Sequence, residues 1–230
     1  MRCGDILIDR QFYADNGYVI IPGLLSRPLC EIAIDIAFAY AERPEYPPLY
    51  MPHRGIDFFL SLMRMPDMVD AVETVLGCPA SGLGSEYFFH KPGTMGFSVH
   101  QDNLFVQAPT GKFLHAWCAL VDVGPDNGGL VFWPRTHKLG LLPVREIHEN
   151  AGAGQNPGAR QVAVDIPPGY DPELIKVSRG DVIIWDSEMI HASRQNESDG
   201  FRHAVLFSYI AKGAPFNAGR KQKRVEVALR

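Results

Sequence analysis

Ser98-Val99-His100-Gln101-Asp102-Asn103 is the stretch on which the reading of the fold turns. Read as extended chain, it puts the His100 and Asp102 side chains on one face, because residues i and i+2 of a strand point the same way. A second imidazole stands far downstream, at His191 in Met189-Ile190-His191-Ala192-Ser193. A β-built cavity would let the two segments meet. Two imidazoles and one carboxylate on one side of a metal leave its other positions open, as in non-haem Fe(II) oxygenases. The spacing alone is weak. With 8 histidines among 230 residues, chance supplies about half of one His-x-Asp.

The surrounding chain reads as β. After Pro79, short apolar runs cover 85–90, 96–102, 114–121, 130–133, 161–166, 174–177, 181–185 and 201–210. They are separated by turn residues such as Lys91-Pro92-Gly93, Pro125-Asp126-Asn127-Gly128-Gly129 and Ser178-Arg179-Gly180-Asp181. Residues 151–160, rich in Gly, Asn and Ala, read as a surface loop. Before Pro79 the pattern is helical. Residues 8–15 form a short helix stopped at Asn16-Gly17, and 18–21 a strand ended by Pro22-Gly23. Leu29, Ile32, Ala33, Ile36, Ala37 and Tyr40 repeat at helical spacing behind a Ser26 N-cap and Pro28. Residues 57–65 and 67–76 are further helices, the second closed by Gly77. The expected architecture is mainly β with N-terminal helices (α+β), a double-stranded β-helix or cupin-like jelly roll whose sheets leave a mouth for a metal. It forms one domain over 1–230, helical to about 78 and jelly roll over about 79–212.

Composition excludes several classes. Hydrophobic content of 46% and charged content of 21% are ordinary globular values. A net charge of −4 gives no footprint of nucleic-acid or membrane-surface binding. Arg220-Lys221-Gln222-Lys223-Arg224 reads as a solvated tail. The four cysteines, Cys3, Cys30, Cys78 and Cys118, lack Cys-x-x-Cys spacing, which speaks against zinc and for free thiols in a reducing compartment. With neither a leader-like N-terminus nor 18 consecutive apolar residues, the expectation is a cytoplasmic monomer or homodimer.

These segments together resemble the phytanoyl-CoA dioxygenase-like family of Fe(II)/2-oxoglutarate oxygenases. The resemblance runs from Phe12-Tyr13-Ala14-Asp15-Asn16-Gly17-Tyr18-Val19-Ile20-Ile21-Pro22-Gly23 through His100-Gln101-Asp102 and Trp117-Cys118-Ala119-Leu120-Val121-Asp122. It continues through Asn127-Gly128-Gly129-Leu130 and Gly180-Asp181-Val182 to His191-Ala192-Ser193, Asn196 and Arg202. Pro134-Arg135-Thr136-His137 departs from the family's usual Pro-Gly-Ser-His. The resemblance implies that His100, Asp102 and His191 bind Fe(II), with 2-oxoglutarate as cosubstrate and O2 as oxidant. It also implies that Arg202 holds the distal carboxylate of 2-oxoglutarate, and that Trp117 and Tyr87 contact the cosubstrate. The residues support Arg202 independently. If the runs flanking Asn196-Glu197-Ser198-Asp199-Gly200 pair as a hairpin, His191 and Arg202 share a face. An inward guanidinium needs an anion, which it can hold bidentately. Ser193 shares the face of His191 and can add a hydrogen bond. His203 points away from Arg202 and is structural; His90, His115, His137 and His148 lack ligand spacing and read as structural or solvent-facing.

The implied activity is hydroxylation of a small-molecule substrate with release of succinate and CO2. Asp102 matters, because halogenating relatives carry Gly or Ala at that place. Desaturation, ring closure and epimerisation use the same oxidant; a non-catalytic metal- or 2-oxoglutarate-binding module and a cupin-like isomerase are the other classes. Residues 44–59, 141–170 and 213–220 are the candidate substrate loops, and 141–170 the expected lid.

Overall fold

A computed structural model describes residues 8–41, 49–147, 162–219 and 223–230. Its architecture is the expected jelly roll with helices packed on one side. Helix α1 (Arg10–Asn16) is capped by Asp9, whose Oδ1 accepts from Phe12 N at 2.8 Å, and ends at Gly17 in the left-handed region. Strand β1 (Tyr18–Ile21) follows, then α2 (Arg27–Tyr40), which Pro28 opens. Ser26 occupies the N-cap position but its side chain makes no capping bond. The short strand β2 (Leu49–Tyr50) precedes α3 (Asp57–Met63) and α4 (Pro66–Leu76), and Gly77 closes α4 at φ 70°.

The β region comprises β3 (Ala80–His90), β4 (Phe113–Ala119), β5 (Leu130–Phe132), β6 (Val144–Glu146), β7 (Val162–Val164), β8 (Glu173–Leu174), β9 (Val182–Asp186), β10 (His191–Ser193) and β11 (Arg202–Ala211). A one-turn helix, α5 (Asn103–Val106), interrupts it. Six strands make the large antiparallel sheet, in the order β1-β9-β4-β11-β3-β2. Its outer face carries Tyr87, Phe89, Phe207 and Tyr209 against Ala33 and Ala37 of α2, Phe59 and Met63 of α3, and Met68 and Val72 of α4. Burying such side chains contributes roughly 1.5–3 kcal/mol each before cavity terms, so the helical layer is a principal source of stability. Within α2 the apolar residues fall three and four apart, and Cys30, Ala33 and Ala37 are buried.

The inner face looks onto a second layer of short strands, β10-β5-β8 and the β6-β7 ribbon. The segment 96–102, expected as a strand, is not one. It joins the two pieces through separate bonds: His100 and His191 exchange N–H···O bonds of 2.9 and 3.0 Å, Ser193 N donates to Phe97 O, and Val164 N donates to Val99 O. The expected hairpin between the His191 and Arg202 runs is also absent. β10 pairs with β5, whereas β11 pairs with β3 and β4, so the two residues face one another from different sheets. A five-residue polar turn can equally carry the chain across a sandwich, and the register rule does not distinguish these outcomes.

No helix among the described residues is long and apolar enough to cross a membrane. Cys30, Cys78 and Cys118 are free thiols. The loop at 151–160, His148, Cys3 and residues 220–222 of the basic run lie outside the described residues. So does 148–161 of the expected lid, whose flanks form β6 and β7.

Candidate active site

Between the layers lies a cavity of about 340 Å³. His100, Asp102 and His191 meet on its wall, each offering a ligand atom, with these atoms all within 4.8 Å of one another. His191 begins β10 and is held to His100 by the two-residue bridge. Asp102 sits at the turn into α5, with φ −68° and ψ −32°. The shared face expected from strand periodicity is therefore realised by a turn.

Backbone carbonyls orient both imidazoles. His100 Nδ1 lies 2.7 Å from Ser98 O, and His191 Nδ1 lies 3.1 Å from Met189 O. Each Nδ1–H donates to its carbonyl, so each Nε2 presents a lone pair to the centre. Burial is the largest influence on His191 and brings its pKa down to about 4, favouring the neutral form a metal requires. Burial alone would raise the Asp102 carboxyl; the surrounding imidazoles of His191, His115 and His100 outweigh it and hold Asp102 well below the usual range. Asp102 Oδ1 stands 3.4 Å from His100 Nε2, and Oδ2 stands 3.3 Å from His191 Nε2. At His100 burial is outweighed by the Asp102 carboxylate, which favours its charged form until a cation takes the proton's place. Two imidazoles and a carboxylate, converging from one side, suit Fe(II) and leave positions for further ligands.

Two residues that support Asp102 were missed in the sequence. Trp185 Nε1 donates to Asp102 Oδ2 at 3.3 Å. His115, expected to be structural or solvent-facing, is buried with Nε2 3.2 Å from the same oxygen, and its Nδ1 lies 3.1 Å from Ser208 Oγ. A signal existed: His115 is two residues from Trp117 in one β-run, so both must share a face.

Arg202 comes from the large sheet. It is 2% exposed, and among the described residues its Nε has no hydrogen-bond partner. Its guanidinium lies 5.5 Å from the centre of the Trp117 ring. Burial pulls its pKa down to about 9, which still leaves it charged at neutral pH. A buried cation with an orphaned donor, facing a cavity, is shaped for an anion. Ser193 lines the same cavity; its Oγ accepts from Phe97 N at 2.8 Å, which leaves its hydroxyl hydrogen free to donate.

Tyr87 is a correction. It points to the outer face of the sheet, packs against Phe59 and Phe89, and its hydroxyl lies 3.1 Å from His203 Nδ1. It does not reach the cavity; its neighbour Glu86 does. One residue of phase reverses every side chain in a strand. His203, expected to face away from Arg202, does so. Arg224 is a second correction: it lines the cavity mouth and donates to Phe105 O and Asn217 O rather than lying in a solvated tail.

A sequence model of the family described as "Phytanoyl-CoA dioxygenase (PhyH)" matches residues 33–204. A relative in Rattus norvegicus, phytanoyl-CoA dioxygenase domain-containing protein 1, is 33% identical over 141 residues, covering 59% of this chain and 47% of its own. The methylphosphonate hydroxylase of Gimesia maris is 29% identical over 163 residues, covering 69% and 55%. The chain thus spans about half the length of these relatives. Among solved structures, the epimerase SnoN in complex with Fe3+, alpha ketoglutarate and nogalamycin RO superposes with a TM-score of 0.72 at 20% identity, covering 96% and 94%. The carbocyclase SnoK gives 0.73 at 21%, covering 96% and 93%. At such identities the likeness speaks to fold.

Proposed function

Because the chain belongs to the phytanoyl-CoA dioxygenase family of iron- and 2-oxoglutarate-dependent oxygenases, we propose that it is an Fe(II)- and 2-oxoglutarate-dependent dioxygenase that hydroxylates a small molecule. The observation that carries this reading is the buried Arg202 guanidinium, whose Nε has no hydrogen-bond partner among the described residues, facing the same cavity as His100, Asp102 and His191. A metal site alone has no use for that charge. A dicarboxylate cosubstrate chelated at the metal does.

In this reading His100, Asp102 and His191 hold Fe(II). With 2-oxoglutarate and O2, the iron supplies the family's oxidising chemistry, releasing succinate and CO2 as the substrate is oxidised. The protein groups position. Ser98 O and Met189 O fix the imidazole tautomers, while Trp185 donates to the Asp102 carboxylate and the His115 ring lies against it. Arg202, steadied by Trp117, holds the distal carboxylate of 2-oxoglutarate, and Ser193 adds a donor. Phe88, Leu130 and Leu206 make the cavity wall apolar, which excludes water and strengthens these interactions. The carboxylate of Asp102 favours hydroxylation over halogenation.

Two measurements test this. Calorimetry should show 2-oxoglutarate binding that requires Fe(II), or Mn(II) as a redox-inert substitute, and that disappears in His191→Ala. Under air with Fe(II), the wild type should release succinate and the variant none. Metal-independent 2-oxoglutarate binding, or unchanged metal binding in the folded variant, would overturn the assignment. Product mass then separates hydroxylation, which adds one oxygen, from desaturation, ring closure or epimerisation.

A further inference from the structure

Arg202 and its surroundings use one end of the cavity. The other end is also charged. Among the described residues lining the cavity, the carboxylates are Asp102 and Glu86, and the guanidiniums are Arg202 and Arg224. Asp102 and Arg202 have roles in the reading above. Glu86 and Arg224 have none.

Their position follows from register. Glu86 pairs with Leu206 of β11, and Arg202 lies four residues along the same strand. At about 3.4 Å per residue, the two ends are about 14 Å apart. His115 pairs with Ser208, on the Glu86 side, and reaches Asp102. The metal ligands therefore stand toward the end marked by Glu86 and Arg224, away from the cosubstrate end marked by Arg202.

That second end is built rather than incidental. Glu86 carries the one carboxylate of an otherwise buried strand, β3, next to the edge of the sheet; it is partly covered, and its side chain makes no hydrogen bond among the described residues. Burial and the nearby Asp102 charge push its carboxyl up to about 7, against the opposing pull of Arg224 and His100. Arg224 is half-buried; among the described residues its Nη1 reaches the neutral carbonyls Phe105 O and Asn217 O. Glu86 and Arg224 sense each other's charge but form no contact ion pair among the described residues. Beside them, Met51 holds a left-handed backbone at φ 53°, a conformation that costs an L-residue stability and clusters at functional sites.

We propose that Glu86 and Arg224 are the substrate-recognition pair, and that the substrate is a small zwitterion whose ammonium meets Glu86 and whose acidic group meets Arg224. This rests on the oxygenase reading above. A ligand with both charges lying between the two side chains would complete each of them; one with a single charge would leave the other side chain unmatched. Size agrees. Substrate pockets span roughly 300–1,000 Å³, and this cavity of about 340 Å³ must take cosubstrate and substrate together. The acid is a carboxylate or a phosphonate, chemistries that Arg recognises alike.

Calorimetry on anaerobic protein loaded with Mn(II) and 2-oxoglutarate tests the proposal. The probes are 4-aminobutyrate, 3-aminopropylphosphonate, butyrate and butylamine, with β-alanine and 5-aminovalerate to vary the spacing. At least one zwitterion should bind, and more tightly than butyrate or butylamine. Comparing the first two probes identifies the acid. Glu86→Gln and Arg224→Gln should each weaken that zwitterion about tenfold to a hundredfold, while 2-oxoglutarate affinity stays within twofold or so of wild type. If Glu86→Gln does not fold, Glu86→Asp, which withdraws the carboxylate by one methylene, should show the same selective loss. The proposal is overturned if no zwitterion binds at millimolar concentration, if single-charge probes bind as well, or if both variants retain wild-type affinity. Failure of 2-oxoglutarate itself to bind would instead sink the oxygenase reading.

Discussion

In the large sheet β3 runs eleven residues and β11 ten, and their ladder breaks register once, between Ser208 and Tyr209. Across the cavity, β5, β6, β7 and β10 are three residues long and β8 two. The two walls hold their functional side chains differently. On the large sheet, Arg202, Trp117, His115 and Glu86 are aimed by alternation, so a slip would turn all of them away together. On the opposite wall, His100, Asp102 and His191 are aimed by individual bonds: one bridge, one turn and two carbonyl contacts. Gly96 belongs to this second mode. A Cβ there would lie 1.7 Å from Ser193 O, so only glycine lets the segment leading to His100 approach β10. In the proposed reading the cosubstrate end is therefore fixed by the fold, while the metal end is fixed residue by residue.

The largest expected effect breaks the first wall's function without touching its structure. Arg202→Met removes a buried charge and keeps much of the volume. Losing a charge-assisted bidentate pair costs about 2–5 kcal/mol when the partner stays buried, or roughly thirtyfold to several-thousandfold in 2-oxoglutarate affinity. Metal affinity should stay close to wild type. The melting temperature should hold or rise, because the wild type buries a guanidinium with no ion pair among the described residues and an Nε without a hydrogen-bond partner there. A fall in both stability and metal binding would show that the guanidinium serves the fold instead.

The second wall should be more sensitive to single hydrogen bonds. Trp185→Phe keeps a ring beside Phe132 and His191 but removes the donor to Asp102 Oδ2. Losing such outer contacts typically lowers metal affinity about 10- to 100-fold. Titration with Mn(II) would measure it, and 2-oxoglutarate affinity at saturating metal should change little. Unaltered metal binding would mean that His115 alone suffices to orient Asp102.

The same contrast explains what the sequence made legible. The helical layer was clear because α2 and α4 repeat at helical spacing, α2 opening at Pro28 and α4 closing at Gly77. That His100, Asp102 and His191 should meet was legible through residue type and resemblance, yet the supporting geometry differs from the expected one: Asp102 lies on a turn, and β10 and β11 belong to different sheets. No local pattern distinguishes a crossing turn from a hairpin. Long strands were legible in outline but not in phase. The resemblance points to Tyr87 and passes over its neighbour Glu86, although a lone carboxylate within an apolar run is the better pointer to a cavity. Arg135 stands where the family usually has glycine and adopts φ 72°, so the position demands a left-handed backbone, which the departure alone does not reveal. Arg224 was lost because a short basic run near a chain end reads as solvated whenever nothing nearby reveals its partners.

The smallest effect sharpens how the large sheet steadies Arg202. Trp117 projects from β4, and its ring lies beneath the guanidinium at 5.5 Å. Such a contact is worth about 0.5–1 kcal/mol when exposed and about 2 when desolvated. Trp117→Leu should therefore weaken 2-oxoglutarate binding by roughly twofold to thirtyfold, well short of Arg202→Met, and Trp117→Phe should recover part of the loss. Metal affinity should not move, because Trp117 touches none of the three ligands in the contacts described above. The double variant decides between two routes. If Trp117 acts through the guanidinium, Trp117→Leu adds nothing once Arg202 is already Met. If instead the indole packs directly on the cosubstrate, the two losses add.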